Sequence, residues 1–149
     1  MSYKSDIPEI TLKFKHSDIE KKKITSSSLC YEMLKKMYDA DTLEYFESSI
    51  AIYLNRANNT IGWQKISQGG LSGTVVDVRI ILATALKCGA SAIILSHNHP
   101  SGNLYPSTSD DKLTEKINDA CKIMEIKFLD HMIITSEGYY SYSDEGKIL

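Results

Sequence analysis

The spacing of hydrophobic residues changes along the chain, and each kind of spacing predicts a different element. In residues 9–14, and again in residues 48–55, apolar and polar positions alternate, which is the pattern of a half-buried β-strand. The turn-forming residues 56–59 separate the second stretch from another alternating run at residues 60–67. We therefore expect an early strand, followed further along by a β-hairpin.

Three other segments carry apolar residues at about every third or fourth position, which predicts amphipathic helices at residues 26–38, 77–88 and 110–125. A serine at the start of the first helix can cap it, and Gly89 suits a left-handed residue that ends the second. A loop is expected before the second helix at Gly69, Gly70 and Gly73. The residues expected to face the core are Leu29, Met33 and Met37, then Val78, Ile81, Leu82, Ala85 and Leu86, and finally Leu113, Ile117, Cys121 and Met124.

A short, continuous apolar run at residues 91–97 predicts a central strand that is covered on both faces. His97 then lies at the carboxyl end of that strand, where open α/β sheets place their ligand crevices. Residues 127–135 and 139–143 predict further strands. The mixture of strands and helices indicates one α/β domain, but the pattern leaves the order of the strands in the sheet open.

Composition narrows the class of protein without identifying a partner. The chain has 149 residues, 42% of them hydrophobic and 24% charged, which suits one globular domain. A net charge of −2 gives no general attraction to nucleic acid or to an anionic membrane. No apolar stretch has the length of a membrane span, and no signal-peptide core is present, so we expect a cytoplasmic protein with no membrane partner.

The residues with the clearest chemistry lie in SHNHPSGNLYPSTSD, residues 96–110. Residues i and i+2 of an extended segment point to the same side, so His97 and His99 can direct two imidazoles at one point. Asp110 follows near the start of a helix, and two histidines with one carboxylate form the donor set of a catalytic zinc site. Ser107 and Asp110 also have the spacing of a capping box, which explains those two residues without a metal. The cap does not explain the two histidines.

This spacing of His97, His99, Ser107 and Asp110 (H-x-H, seven residues, Ser, two residues, Asp) resembles the signature of the JAMM, or MPN-type, metalloproteases. The words SHNHPSG, PSTSD and LDHMII, and more diffusely YLNRANNTIG and ISQGGLSGTVVDVRIILATAL, resemble the RadC-like branch of that superfamily. The resemblance covers about residues 44–149. Residues 1–43 are left as an N-terminal extension, a strand plus a helix packed on the core.

The resemblance implies an α/β (α+β) deaminase-like sandwich, in which helices flank a mixed sheet. It implies zinc on the two histidines and Asp110, with Ser107 stabilising the oxyanion. The family's general base is a glutamate that maps onto Glu47, although Glu44 lies only three residues away as a rival.

Two further polar residues, one between the two histidines and one in a later strand, are not expected to bind the metal. His131 matches the family's Asp-His pair, and its apolar strand predicts a buried, hydrogen-bonded histidine, with support of the metal site as the alternative. Asn98 is expected to point away from the two histidines and to brace a loop by hydrogen bonds.

These residues predict a zinc-dependent hydrolase that cleaves an amide bond in a peptide or protein substrate. One alternative is a DNA-repair or anti-restriction accessory protein, and another is a non-catalytic metal-binding interaction module. The chain has no basic domain and no interleaving of aromatic and basic residues, which argues against direct nucleic-acid binding. The natural substrate, the need for a partner and the oligomeric state stay open.

Overall fold

The computed structural model describes residues 6–11, 13, 15, 17–69 and 75–148. In these ranges five strands form one mixed sheet with the order β2-β1-β3-β4-β5, in which β3 and β4 are parallel and the other neighbours are antiparallel. The strands are β1 (Ser48–Leu54), β2 (Thr60–Gln68), β3 (Ala92–Asn98), β4 (Lys127–Ile134) and β5 (Tyr139–Ser141). The helices of the same ranges are α1 (Ser27–Met37), α2 (Val78–Lys87) and α3 (Thr108–Ile123).

The helices cover the sheet from both sides, so two hydrophobic clusters sandwich it. On one face α1 packs on alternate residues of β1 and β3, while α2 and α3 pack on the intervening residues of the same strands. The first cluster includes Cys30, Tyr31, Leu34, Ile50, Ile52, Leu54, Ile94, Met132 and Ile134. The second includes Ala51, Tyr53, Val78, Ile81, Ala85, Ile93, Leu95, Ile117, Cys121 and Phe128. The predicted fold class, a mixed sheet flanked by helices in one α+β domain, is confirmed.

Strand β3 has the central position that its apolar run predicts, and all seven of its residues are buried. The hairpin of β1 and β2 is also confirmed. Gly89 follows Cys88, the C-cap residue of α2, and has φ +67°, a left-handed conformation that glycine adopts without a steric penalty. The chain can therefore reverse there and enter β3.

A β-bulge in β4 changes which of its side chains face the second cluster. Ile93 of β3 pairs with Phe128, but the next residue of β3, Ile94, pairs with Asp130, so that Leu129 is the extra residue. Because of this insertion, His131 lies on the same face as Phe128 and opposite Leu95 of β3.

The helix predictions need three corrections. α3 begins at Thr108, because Ser107 caps its N-terminus, and it ends at Ile123. Met124 is the C-cap residue beyond the helix and is 44% exposed. Leu29 of α1 is 40% exposed, because the buried stripe runs one position later, through Cys30 and Leu34. Leu86 of α2 is 51% exposed, whereas the other members of its predicted stripe are buried or half-buried.

The strand predicted at residues 9–14 is wrong for the residues that the structure describes. Residues 9–11 and 13 are not in a strand, and Ile10 is 89% exposed. Alternation becomes a strand only where a neighbouring strand supplies hydrogen bonds, and here the first bridge in the described chain joins Lys23 to Asn59. Leu12, Phe14, Gly70 and Gly73, on which sequence predictions also fell, lie outside the described residues. Within the described ranges, no helix combines the length and the apolar character needed to cross a membrane.

Candidate metal centre and its groove

The two histidines of the H-x-H motif meet at the carboxyl end of β3. His97 is the last residue but one of the strand, and His99 follows it in an extended segment. Their Nε2 atoms are 3.0 Å apart. The two imidazoles therefore lie on the same side, as extended geometry predicts for residues i and i+2.

The Asp110 carboxylate faces both imidazoles from the first turn of α3. Its Oδ1 atom is 3.3 Å from His97 Nε2, and its Oδ2 atom is 3.2 Å from His99 Nε2. Burial raises the pKa of Asp110, but contacts with His97 and then with His99 outweigh it and hold the pKa of this carboxyl well below its usual range.

The capping box and the convergence on the histidines coexist in the same two residues. The Asp110 N–H donates to Ser107 Oγ at 3.1 Å, and the Ser107 N–H donates to Asp110 Oδ2 at 2.8 Å. The cap fixes where α3 begins and holds the carboxylate in place. The Ser107 hydroxyl accepts in this cap, so its own hydrogen remains able to donate into the groove.

His99 is oriented by the loop that follows it. Its Nδ1–H donates to the backbone carbonyl of Asn103 at 2.6 Å, since a carbonyl oxygen can only accept. The Nε2 atom is therefore the one that faces Asp110. Burial lowers the pKa of His99, but the Asp110 carboxylate and the Asn103 carbonyl, which stabilise the protonated form of the ring, raise it by more, so the net shift is upward.

The structure brings Glu47, and not its rival Glu44, to the histidines. Glu47 Oε1 is 3.9 Å from His99 Nε2, and the ligand atoms of Glu47, His97 and His99 all lie within 4.8 Å of one another. Glu44 is exposed, and its Oε1 atom accepts a hydrogen bond from Ser136 instead. A second carboxylate, besides Asp110, therefore borders the site.

Asn98 holds the segment that carries Glu47. Its side chain points away from the two histidines, and its amide donates to the carbonyls of Leu43 and Phe46, both at 2.8 Å. Its Oδ1 atom accepts from the N–H of Ser48 at 2.8 Å. The sequence predicts that Asn98 braces a loop, but it does not reveal that the loop is the one with Glu47, because that requires β1 to lie beside β3.

His131 lies directly behind His97 and is fully buried. Its Nε2 atom is 2.9 Å from His97 Nδ1, and its ring stacks on Tyr142 with 5.1 Å between ring centroids. Burial, followed by repulsion from His97, lowers the pKa of His131 well below its usual value. The expected buried, hydrogen-bonded histidine is confirmed. Thr114, which contacts the far side of the His131 ring, was not singled out from the sequence, although it lies four residues after Asp110 on one face of α3.

A groove of about 1090 Å³ opens over these residues. Its described lining includes Glu47, His99, Ser107 and Asp110, with Ser67 and Gln68 of β2 and Pro100, Tyr105 and Pro106 of the following loop. None of the described lining residues is a lysine or an arginine. The groove thus offers two carboxylates and uncharged walls to whatever it binds.

The family described as RadC-like JAB domain matches residues 24–147 of this chain. The chain belongs to the RadC-like JAB domain family. The match to this JAB family starts at residue 24, so it includes α1, which the sequence analysis assigned to the N-terminal extension.

Relatives of this JAB-family chain are found in several bacteria. A "UPF0758 protein" from Flavobacterium johnsoniae is 43% identical over 125 residues, which is 84% of this chain and 53% of that protein. Another from Streptococcus gordonii is 40% identical over 135 residues, covering 91% of this chain and 58% of that protein. A third, from Haemophilus ducreyi, is 40% identical over 111 residues, covering 73% of this chain and 50% of that protein. The chain spans about half the length of these relatives.

Proposed function

We propose that this protein is a zinc-dependent hydrolase that cleaves an amide bond in a peptide or protein substrate. The observation that carries the proposal is the convergence of His97, His99 and Asp110: the two Nε2 atoms are 3.0 Å apart, and each has one oxygen of the Asp110 carboxylate within 3.2–3.3 Å, Oδ1 for His97 and Oδ2 for His99. Tetrahedral zinc with bonds of about 2.0–2.1 Å requires ligand atoms roughly 3.3 Å from one another. The donor set and its spacing therefore fit zinc, with one coordination position left for water or substrate.

A bound zinc ion would polarise the scissile carbonyl and lower the pKa of a coordinated water to about 7. Proton transfer and stabilisation of the oxyanion would come from side chains of the protein. Glu47, with 18% of its side chain exposed, borders the groove beside His99, where a carboxylate can accept a proton and return it to the leaving amine. The free hydrogen of the Ser107 hydroxyl can donate to the oxyanion that develops on the carbonyl.

The shape and charge of the groove support a peptide-like substrate. Its described walls carry uncharged polar and apolar groups, and its charged lining residues are the two acids Glu47 and Asp110 and the titratable His99. Such a lining does not attract phosphate groups, which basic residues bind in nucleic-acid sites. A polypeptide segment with a neutral backbone has no such conflict. The cytoplasmic location expected from the sequence is part of this proposal.

The test is cleavage by zinc-loaded protein of a library of peptides and small amides, with Glu47→Gln and Glu44→Gln as matched variants. We expect Glu47→Gln to abolish turnover while zinc remains bound, because the amide cannot take up a proton. Glu44→Gln should keep the wild-type rate, since Glu44 contacts Ser136 outside the groove. Equal rates in both variants would contradict the role of Glu47. Zinc binding without any turnover would favour the non-catalytic interaction module.

A further inference from the structure

A chain of buried side chains runs from His97 to helix α3. His97 Nδ1 is 2.9 Å from His131 Nε2, and His131 Nδ1 is 2.5 Å from Thr114 Oγ1. Thr114 Oγ1 in turn donates to the backbone carbonyl of Asp110 at 2.8 Å. His97, His131 and Thr114 are each at most 4% exposed. The polar atoms of these three buried side chains therefore depend on one another, and on the Asp110 carbonyl, for hydrogen bonds.

The direction of each hydrogen bond can be derived by starting from the bond between Thr114 and the Asp110 carbonyl. The Asp110 carbonyl can only accept, so the single hydrogen of the Thr114 hydroxyl is already used. Thr114 Oγ1 must then accept from His131, which places a hydrogen on His131 Nδ1. An imidazole that carries its single hydrogen on Nδ1 accepts at Nε2, and the partner of that Nε2 atom in this fully buried ring is His97 Nδ1. His97 Nδ1 must therefore donate to it.

The consequence appears on the other nitrogen of His97. With its hydrogen on Nδ1, neutral His97 presents a bare Nε2 atom to Asp110 Oδ1 at 3.3 Å and to His99 Nε2 at 3.0 Å. His99 is set in the same way by the Asn103 carbonyl. Left to itself, His97 would carry its hydrogen on Nε2 and donate it to the Asp110 carboxylate. The hydrogen bonds through His131 oppose a hydrogen on His97 Nε2, because they require one on Nδ1.

We propose that His131 and Thr114 are positioning residues that hold His97 in the tautomer whose Nε2 lone pair is free to bind a metal. Two local features bring them into place. The bulge at Leu129 turns His131 toward α3, and the four-residue spacing of Asp110 and Thr114 puts the ligand and its positioning partner on one face of that helix. The inference rests on the proposed function only for its effect on zinc affinity, because the tautomer can be measured without metal.

The experiment is NMR of metal-free protein labelled with ¹⁵N-histidine, in which long-range ¹H–¹⁵N correlations show which ring nitrogen carries hydrogen. The His97 signals are assigned by their absence from a His97→Gln variant. We expect wild-type His97 to be protonated on Nδ1. In His131→Phe, which keeps a ring but removes the acceptor, the hydrogen should move to Nε2. A wild-type His97 with its hydrogen on Nε2 and none on Nδ1 would overturn the proposal.

A milder pair of variants separates positioning from packing. Thr114→Val keeps the shape but removes the hydroxyl, whereas Thr114→Ser keeps the hydroxyl. We expect Thr114→Val to shift the His97 tautomer and to weaken zinc binding about 10- to 100-fold. Thr114→Ser should restore the tautomer and the affinity. An unchanged tautomer and unchanged zinc affinity in folded Thr114→Val would overturn the proposal.

Failure of the proposed zinc site and failure of the positioning role give different experimental results. If wild-type protein shows His97 protonated on Nδ1, and Thr114→Val shifts that hydrogen while Thr114→Ser does not, the positioning role stands even when the protein takes up no zinc. If wild-type protein binds zinc but the variants leave the tautomer and the affinity unchanged, the metal site stands and the positioning role fails.

Discussion

Residues 92–95 of β3 and residues 96–98 of the same strand are equally buried, but different contacts hold them. The first four are apolar and pack between the two hydrophobic clusters. The last three are Ser96, His97 and Asn98, and each side chain has hydrogen-bond partners in neighbouring strands or in the turn before β1. Apolar packing tolerates exchange of one hydrophobic residue for another, whereas a buried polar group is costly once its partner is lost. The polar end of β3 is thus the part whose residues the candidate site requires.

Asn98→Leu should have the largest effect on the stability of the strand. A leucine of similar size leaves the Ser48 N–H and two backbone carbonyls without partners. At about 1–3 kcal/mol for each unsatisfied group, we expect the free energy of unfolding to fall by about 4 kcal/mol. Urea unfolding measures this loss. A loss below about 1 kcal/mol would show that the loop with Glu47 is held by other contacts.

Leu95→Ala tests the apolar half of the comparison. Leu95 is fully buried in the cluster beneath α2 and α3, and truncation of such a leucine costs about 3 kcal/mol. Because the site residues keep all their hydrogen bonds, the folded variant should bind as much zinc as wild type. Urea unfolding and metal analysis of the same sample check both results. Loss of zinc from folded Leu95→Ala would show that the apolar half of β3 also determines metal binding, which would contradict the comparison.

Tyr38→Phe removes one hydrogen bond from the polar half without touching the site. Ser96 Oγ donates to the Ile50 carbonyl, so the Tyr38 hydroxyl, 2.8 Å away, must donate to Ser96. We expect the free energy of unfolding to fall by about 1 kcal/mol, because the ring stays in place. The midpoint of urea unfolding would show it, and a variant as stable as wild type would show that this hydrogen bond does not stabilise the polar half of β3.

Asp130→Asn should have the smallest effect, visible mainly as a change in pH dependence. Burial raises the pKa of Asp130, against hydrogen bonds from Ser141, Ser143 and the His131 N–H that lower it. The folded protein therefore binds this proton more tightly than the unfolded chain. The contribution of Asp130 to stability is fully present below the ordinary pKa of about 4 and is lost as the pH rises through the folded value.

The asparagine side chain of the Asp130→Asn variant has nothing to ionise, so its stability relative to wild type should increase as the pH rises from about 4 toward neutrality. The new amide can keep the existing hydrogen bonds, with its Nδ2 atom donating to Ser141, so the change at neutral pH should stay within about 1 kcal/mol. Urea midpoints across this pH range provide the measurement. Parallel pH profiles for the two proteins would contradict the raised pKa.

Local rules predicted the parts of the fold that depend on neighbours in sequence. Periodicity located the three helices and the hairpin, and Gly89 and the Ser107 cap were placed by the conformations that those residues favour. The buried stripe of α1 was placed one position early, because Leu29 looks as apolar as Cys30 until the sheet beneath is known. Residues 9–14 show the same limit, since alternation does not supply a pairing partner.

Only the part of the site that lies close together in sequence could be predicted from local rules. Residues 97–110 bring His97, His99 and Asp110 together through one strand end and one helix cap, both readable from spacing. The approach of Glu47 depends on β1 pairing with β3, and the position of His131 depends on a bulge in β4. Neither contact follows from the residues beside it in sequence, so the hydrogen bonds behind the two histidines required the structure.

The most direct test of the metal centre is the zinc content of protein purified without chelator or affinity tag, measured by plasma mass spectrometry. Wild type, His99→Ala and the matched variant Glu44→Ala are compared. A site built by His97, His99 and Asp110 predicts about one zinc per chain in wild type and in Glu44→Ala, and none in folded His99→Ala. Wild-type protein that holds no zinc and takes up none on reconstitution would contradict it, as would zinc retained at full occupancy in His99→Ala.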